Sequence, residues 1–289
     1  MRSARPSLTA DLVASLRAIY AELPAPYRLG EDEFARVLVP RVLALPARAA
    51  ARVPSAAPLF HRGLAKLTLG LSLHVPLRTR AVDDAVRAAV AAGATQLVIL
   101  GAGLDARALR MGELRDVRVL EVDHPSTQRR KVERLGRAHH AIRARALVRV
   151  PVDFEVDRLD DALLRAGHDP RARTLFVMEG VSVYLTRPAL ADTLDRVARI
   201  ASPGSRIGIT YASRTIAELP RVALPLARTF LAAVGEPTRT QLARDEMAAL
   251  LGEAGFRVLE DSSTADWAAR YWPWEERVPV IERLAIAER

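Results

Sequence analysis

The period of the hydrophobic pattern changes near residue 93. Before that point apolar residues recur at helical spacing, as at Leu12, Leu16 and Tyr20, and Pro24, Pro26, Pro40, Pro46 and Pro54 cut the pattern into short segments. Residues 1–77 therefore read as a helical leader. A further helix is predicted over residues 79–92, with Val82, Ala85, Val86, Ala89 and Val90 on its apolar side and Gly93 as a C-terminal cap. Short β-rich runs follow at 96–100, 117–122, 146–152, 174–178, 206–211, 256–259 and 281–287, most of them separated by helical patterns. Strands that alternate with helices and read as nearly continuous apolar runs predict an α/β fold, with a mostly parallel seven-stranded sheet covered on both faces. Residues 212–240, broken by Pro220, Pro225 and Pro237, come after the fifth strand and read as a helical lid insertion. The chain divides into a leader over 1–77 and a core over 78–289 that carries the lid. The core closes with a helix over 239–253, capped by Gly255, and the last strand.

Composition narrows the classes. At 289 residues and 50% hydrophobic content the chain can bury a large core, and no apolar run approaches the length of a membrane span. Cysteine is absent, which removes disulfides, thiolate metal sites and cysteine nucleophiles. No metal site is expected. The first residues lack the apolar stretch of a secretory signal, so a cytoplasmic location is the default. The net charge of +9 invites a nucleic-acid partner, yet 41 of the 43 basic residues are arginines, a bias typical of GC-rich coding DNA. They read as interleaved with acids, not as a basic block with aromatics, so neither nucleic acid nor membrane is expected as a partner.

The chemistry concentrates in one turn. The apolar strand Val98-Ile99-Leu100 runs into Gly101-Ala102-Gly103-Leu104-Asp105-Ala106, where the backbone bends sharply and a ligand can approach it. Asp123, 20 residues after Gly103, ends the next strand beside Glu121, where a carboxylate can accept both hydroxyls of an adenosine ribose. An ordinary strand-to-helix turn, with Asp123 as helix N-cap ahead of Pro125, accounts for the same residues. The pattern also satisfies the loose dinucleotide signature, but Asp105 in the first helical turn would repel a pyrophosphate and suits a cationic ligand.

Taken together, the motifs resemble class I S-adenosylmethionine-dependent methyltransferases of the leucine carboxyl methyltransferase type, which include bacterial small-molecule O-methyltransferases. The resemblance rests on Leu77-Arg78-Thr79-Arg80 with Asp83-Asp84, the turn from Leu100 to Arg107, Glu121-Val122-Asp123-His124-Pro125 with Lys131, and the run from Glu179 to Thr186. Ala201-Ser202-Pro203-Gly204-Ser205 and Met247 to Phe256 extend it. It implies a Rossmann-like fold and S-adenosyl-L-methionine as methyl donor, leaving S-adenosyl-L-homocysteine as product. Arg78, helped by Arg17, would pair with the cofactor's carboxylate, and Gly101 would lie under its methionine portion, with Ala102 and Gly103 also binding the cofactor. Asp123 would bind the ribose, Asp153 and Phe154 the adenine, and Glu179 the ammonium, with Asp105 and Glu121 completing the set. Tyr184 would help close the methyl-transfer site. Ala106, Leu109 and Phe154-Glu155 depart from the usual residues at their positions. The acceptor implied is a small molecule, a carboxylic acid or alternatively a phenol, in secondary metabolism. The oligomeric state is left open, a homodimer included. A carboxylate acceptor needs no general base, in keeping with the lack of a clear His-Asp pair in the sequence. Trp267, Tyr271, Trp272 and Trp274 read either as a C-terminal anchor or as a wall for a planar acceptor.

Overall fold

A computed structural model describes residues 8–40, 42, 45–53, 55–154, 156–213, 239–274, 278 and 282–289. The leader contributes α1 (Leu8–Glu22), α2 (Ala35–Leu38), α3 (Leu45–Arg52) and α4 (Ala56–Leu67). Then α5 (Leu71–Ala91), β1 (Gln96–Leu100), α6 (Arg107–Arg110), β2 (Arg118–Asp123), α7 (Pro125–Leu135), β3 (Ala146–Pro151) and α8 (Leu159–Arg165) follow. The rest comprises β4 (Thr174–Met178), α9 (Arg187–Ile200), β5 (Arg206–Ala212), α10 (Arg244–Glu253), β6 (Arg257–Ser263), α11 (Thr264–Tyr271) and β7 (Glu282–Glu288).

The strands form one seven-stranded sheet in the order β3-β2-β1-β4-β5-β7-β6. The first five are parallel, and β7 enters antiparallel between β5 and β6. All five residues of β1 and of β4 are buried, as expected for central parallel strands with helices on both faces. On one face Val98, Leu100, Val122, Phe176, Met178 and Ile209 share a core with residues of α8, α9 and α10. On the other, Leu97, Ile99, Val119 and Val177 pack with α5, α11 and Tyr20 of the leader. The strand order reverses direction between β1 and β4, which opens a crevice at their C-terminal ends.

Several element limits differ from the sequence reading, among them the end of β6, which runs to Ser263 and not to 259. The helix expected to begin at Thr79 begins at Leu71, passing through the buried Pro76, so the boundary at residue 77 falls inside α5. The helix expected over 239–253 begins at Arg244, because Glu246 turns back to accept the Ala243 amide at 2.7 Å. At the start of α7, His124 and not Asp123 is the cap: its side chain accepts from the Ser126 amide, with Pro125 at the first helical position. Of the lid expected over 212–240, residues 214–238 lie outside the described residues. Its exit is tied down, since the amides of Arg239 and Thr240 donate to Val183 O at 2.7 and 3.3 Å.

The leader is bolted to the core at two ends. Asp11 of α1 pairs with Arg130 and Arg134 of α7. At the other end Trp272, fully buried, donates from Nε1 to Pro26 O at 3.1 Å and packs against the rings of Tyr20 and His61. The buried Trp267 is held by Ser262. Of the two readings of the tryptophans, Trp267 and Trp272 are thus anchors, and Trp274 is 46% exposed. Trp272→Ala should cost roughly 3–5 kcal/mol, read as a shift of the urea midpoint, whereas Trp274→Ala should move it far less.

Candidate active site

The loops after β1, β2, β3 and β4 meet at the crevice, so residues far apart in the chain share one wall. Gly101 and Gly103 sit at φ +71° and +48°, in the left-handed region open to glycine. A Cβ at Gly101 would also collide with the side chain of Val181, from the loop after β4. The amides of Gly101 and Ala102 both donate to Val122 O, at 2.8 and 2.9 Å, which folds the turn against β2. Asp123 then closes it from the other side: its carboxylate accepts the Gly103 amide and, at 2.6 Å, that of His124. Burial pushes the Asp123 carboxyl above its ordinary value, against the pull of those two amides and of the Lys131 charge.

Beside the turn, Glu179 from the end of β4 stands between two arginines. Its Oε1 accepts from Arg78 Nε at 3.0 Å and its Oε2 lies 2.8 Å from Arg107 Nη2. Arg78 Nη1 in turn reaches Glu282 Oε2 of β7 at 3.0 Å, and His74 Nε2 lies 2.5 Å from the same oxygen. Among the described residues no group bonds Arg78 Nη2. Arg107 continues the line toward the leader. It bonds Asp105 and, at 2.7 Å, Asp83, which also takes both Nη atoms of Arg110 at 2.7 Å. Asp32 accepts from Arg17 at 2.9 Å, and Arg17 Nη2 donates to Leu104 O on the turn itself, also at 2.9 Å. Glu282 and His74 belong to no motif; Glu282 fell in the last predicted strand, and His74 lay before the helix predicted from Thr79.

Other candidates occupy different places. Asp105, expected to face a cationic ligand, is 7% exposed and spends its oxygens on the guanidinium and, at 2.7 Å, the amide of Arg107. The amide that opens α6 is thereby taken, and α6 is a single turn, so the arrangement is poor for a pyrophosphate. Glu121 is 1% exposed and pairs with Lys131 of α7 at 2.7 Å. Asp153 and Phe154 are half-buried after β3, with Asp153 Oδ2 3.9 Å from His124 Nε2. Tyr184 ends a short turn (Ser182–Tyr184) that is clamped where Ser182 Oγ donates to Thr210 O at 2.6 Å.

The family model for leucine carboxyl methyltransferase matches residues 10–198. A Frankia alni protein provisionally described as an S-adenosyl-L-methionine-dependent methyltransferase is 38% identical over 150 residues, 52% of each chain. A Streptomyces coelicolor protein of the same description is 36% identical over 150 residues, again 52% of each. The match thus spans about half the length of these relatives. A Parafrankia protein with that description is 30% identical over 283 residues, 97% of this chain and 86% of its own. Among solved structures, a DUF574-family protein from Streptomyces avermitilis superposes with a TM-score of 0.65 at 13% identity, covering 98% of both chains. A protein from Thermobifida fusca superposes at 0.58 and 20% identity, covering 99% of both. These two establish the fold.

Burial alone would raise the Asp83 carboxyl, but the charges of Arg110 and Arg107 outweigh it and hold the group well below the usual carboxylate range. A depressed folded value contributes stability that is present above the unfolded value, about pH 4, and is lost as the pH falls through the folded one. Asp83→Asn should therefore cost about 3–5 kcal/mol at neutral pH, by leaving two buried guanidinium groups short of a partner. The deficit should shrink below about pH 4, as followed by urea unfolding across a pH series.

Proposed function

Since the chain belongs to the leucine carboxyl methyltransferase family, we propose that it transfers a methyl group from S-adenosyl-L-methionine to an oxygen of a small-molecule acceptor, most simply a carboxylate. The observation that carries the reading is the joint between Asp123 and the Gly103 amide at the crevice, flanked by Arg78. A carboxylate has about four acceptor positions, so Asp123 keeps capacity for ribose hydroxyls after taking two amides. Arg78 is held by Glu179 and Glu282 yet has Nη2 in hand for the carboxylate of an amino-acid moiety. The glycine turn admits a ligand close to its backbone. These residues fit S-adenosylmethionine, which supplies when bound a methyl group on a positively charged sulfur.

The protein's own part is to bind, orient and exclude water. In-line displacement depends on alignment, and positioning can supply about 7–11 kcal/mol of the barrier at best. Asp123 would set the nucleoside end, Arg78 the amino-acid end, and Glu179 a negative charge near the ammonium. Tyr184 would bound the space where the acceptor oxygen arrives. Asp153 and Phe154 would flank the adenine. A carboxylic acid is already ionised at neutral pH, whereas a phenol with pKa near 10 gains from a base. The histidine rings near the crevice differ in this respect, since His124 keeps Nε2 3.9 Å from Asp153 and is placed to serve a phenol. His74 is occupied by Glu282 and Thr264, and His124 caps α7. Synthesis of a methyl ester in secondary metabolism is the role we assign.

Two measurements test this. Methyl-labelled S-adenosylmethionine offered with a panel of carboxylic acids and phenols should yield a product that releases its label in alkali, as an ester does and an aryl ether does not. Arg78→Ala should weaken binding of S-adenosylhomocysteine roughly 10- to 100-fold, the worth of a lost charged hydrogen bond. It should leave binding of 5′-methylthioadenosine, which lacks the amino-acid portion, nearly unchanged. Equal loss for both ligands would contradict the assigned role of Arg78.

A further inference from the structure

The net charge of the chain has an address. Between Phe34 and Val82 there are eight basic residues and no Asp or Glu, so this stretch carries +8 of the total +9, and the remainder is nearly neutral. The interleaving of arginine with acids expected from the sequence holds only outside these 49 residues. The same stretch is unusually apolar on its surface. Among the described residues, seven of the twelve exposed large hydrophobic side chains lie between Val37 and Leu69.

The two properties meet on α4. Leu59, Arg62, Gly63, Lys66 and Leu67 fall at helical spacing on its outward side, and all five are exposed, Leu59 by 72% and Leu67 by 81%. A Cβ at Gly63 would meet nothing within 4 Å. The opposite side buries Ala57 and His61 against the leader. Four described cations of the stretch are paired: Arg36 and Arg48 with Glu22, Arg78 with the crevice carboxylates, Arg80 with Asp84. Arg52, Arg62 and Lys66 are exposed and have no acidic partner among the described residues.

We propose that the outward face of α4 docks reversibly on an anionic lipid bilayer. A helix with aliphatic chains and unpaired cations on one side is suited to lie in the headgroup region. Leucines enter the acyl boundary while the long basic side chains reach lipid phosphates. A second copy of the chain is a poor occupant, because a two-fold contact would oppose cations to cations with no acid in the segment to relieve them. Nucleic acid would use the charges but not the leucines, and among the described residues from Phe34 to Val82 no aromatic ring is exposed for base stacking. No described helix is long and apolar enough to cross a membrane, whereas surface docking needs only one such face.

The test is sedimentation of the full chain with vesicles of phosphatidylglycerol and phosphatidylcholine in equal parts, beside vesicles of phosphatidylcholine alone. Binding should appear only with the anionic vesicles and fall as salt is raised. Arg62→Gln/Lys66→Gln should weaken it roughly fivefold for each charge removed. Leu59→Ser/Leu67→Ser should weaken it as well, with melting curves unchanged in both variants because these side chains are exposed. Absence of binding, or equal binding to both vesicles, would overturn the proposal. So would a dimer in sedimentation velocity that is lost with Leu59→Ser/Leu67→Ser while the vesicles pellet nothing. Retention on duplex DNA that ignores the leucine exchange, without vesicle binding, would assign the face to nucleic acid instead.

Discussion

A line of alternating charge through the interior is the constraint on which the crevice depends. It runs from Arg17 and Asp32 in the leader, through Arg110, Asp83, Arg107 and Glu179, to Arg78 and Glu282 of β7. Buried ion pairs are weak sources of net stability, since desolvation offsets their attraction. What they impose is geometry, because removing one member strands its neighbours without water. Each carboxylate here meets a guanidinium and at least one further polar partner, so no side chain can turn away alone. The leader, the glycine turn, the loop after β4 and the last strand are held in one relative arrangement.

That arrangement explains why a helical leader belongs to the site and is no mere appendage. Arg17 spans from Asp32 to the carbonyl of Leu104, so the leader grips the turn directly. Asp32 in turn caps α2 by accepting the Ala35 amide at 2.9 Å. The stretch from Phe34 to Val82, most of which lies in this leader, carries +8 of the net charge of +9. One segment thus orders the crevice on its inner side and presents the cationic, apolar surface of α4 on its outer side.

Much of the fold was legible because parallel strands buried on both faces leave continuous apolar runs, and β1 and β4 have the limits read from the sequence. Local turns were legible for the same kind of reason: Gly101, Gly103 and Asp123 sit where their backbone and charge demands placed them. What sequence spacing could not supply is direction. Asp105 is acidic and adjacent to the turn, yet it points at Arg107, because that guanidinium is buried and must be balanced. Glu282 was invisible as a site residue, since the strand insertion that brings it 3.0 Å from Arg78 joins positions 204 apart in the chain. The start of α5 was missed because a buried Pro76 inside a helix looks like a break in the sequence.

The central claim is that the joint between Asp123 and the glycine turn is a nucleoside site for a sulfonium cofactor. Calorimetric titration of the full chain with S-adenosylhomocysteine, run beside NAD and repeated on Asp123→Ala, tests it most directly. The account predicts saturable binding of S-adenosylhomocysteine, none of NAD, and loss of binding in the variant. Binding of NAD, or S-adenosylhomocysteine binding unaltered by Asp123→Ala, would contradict it.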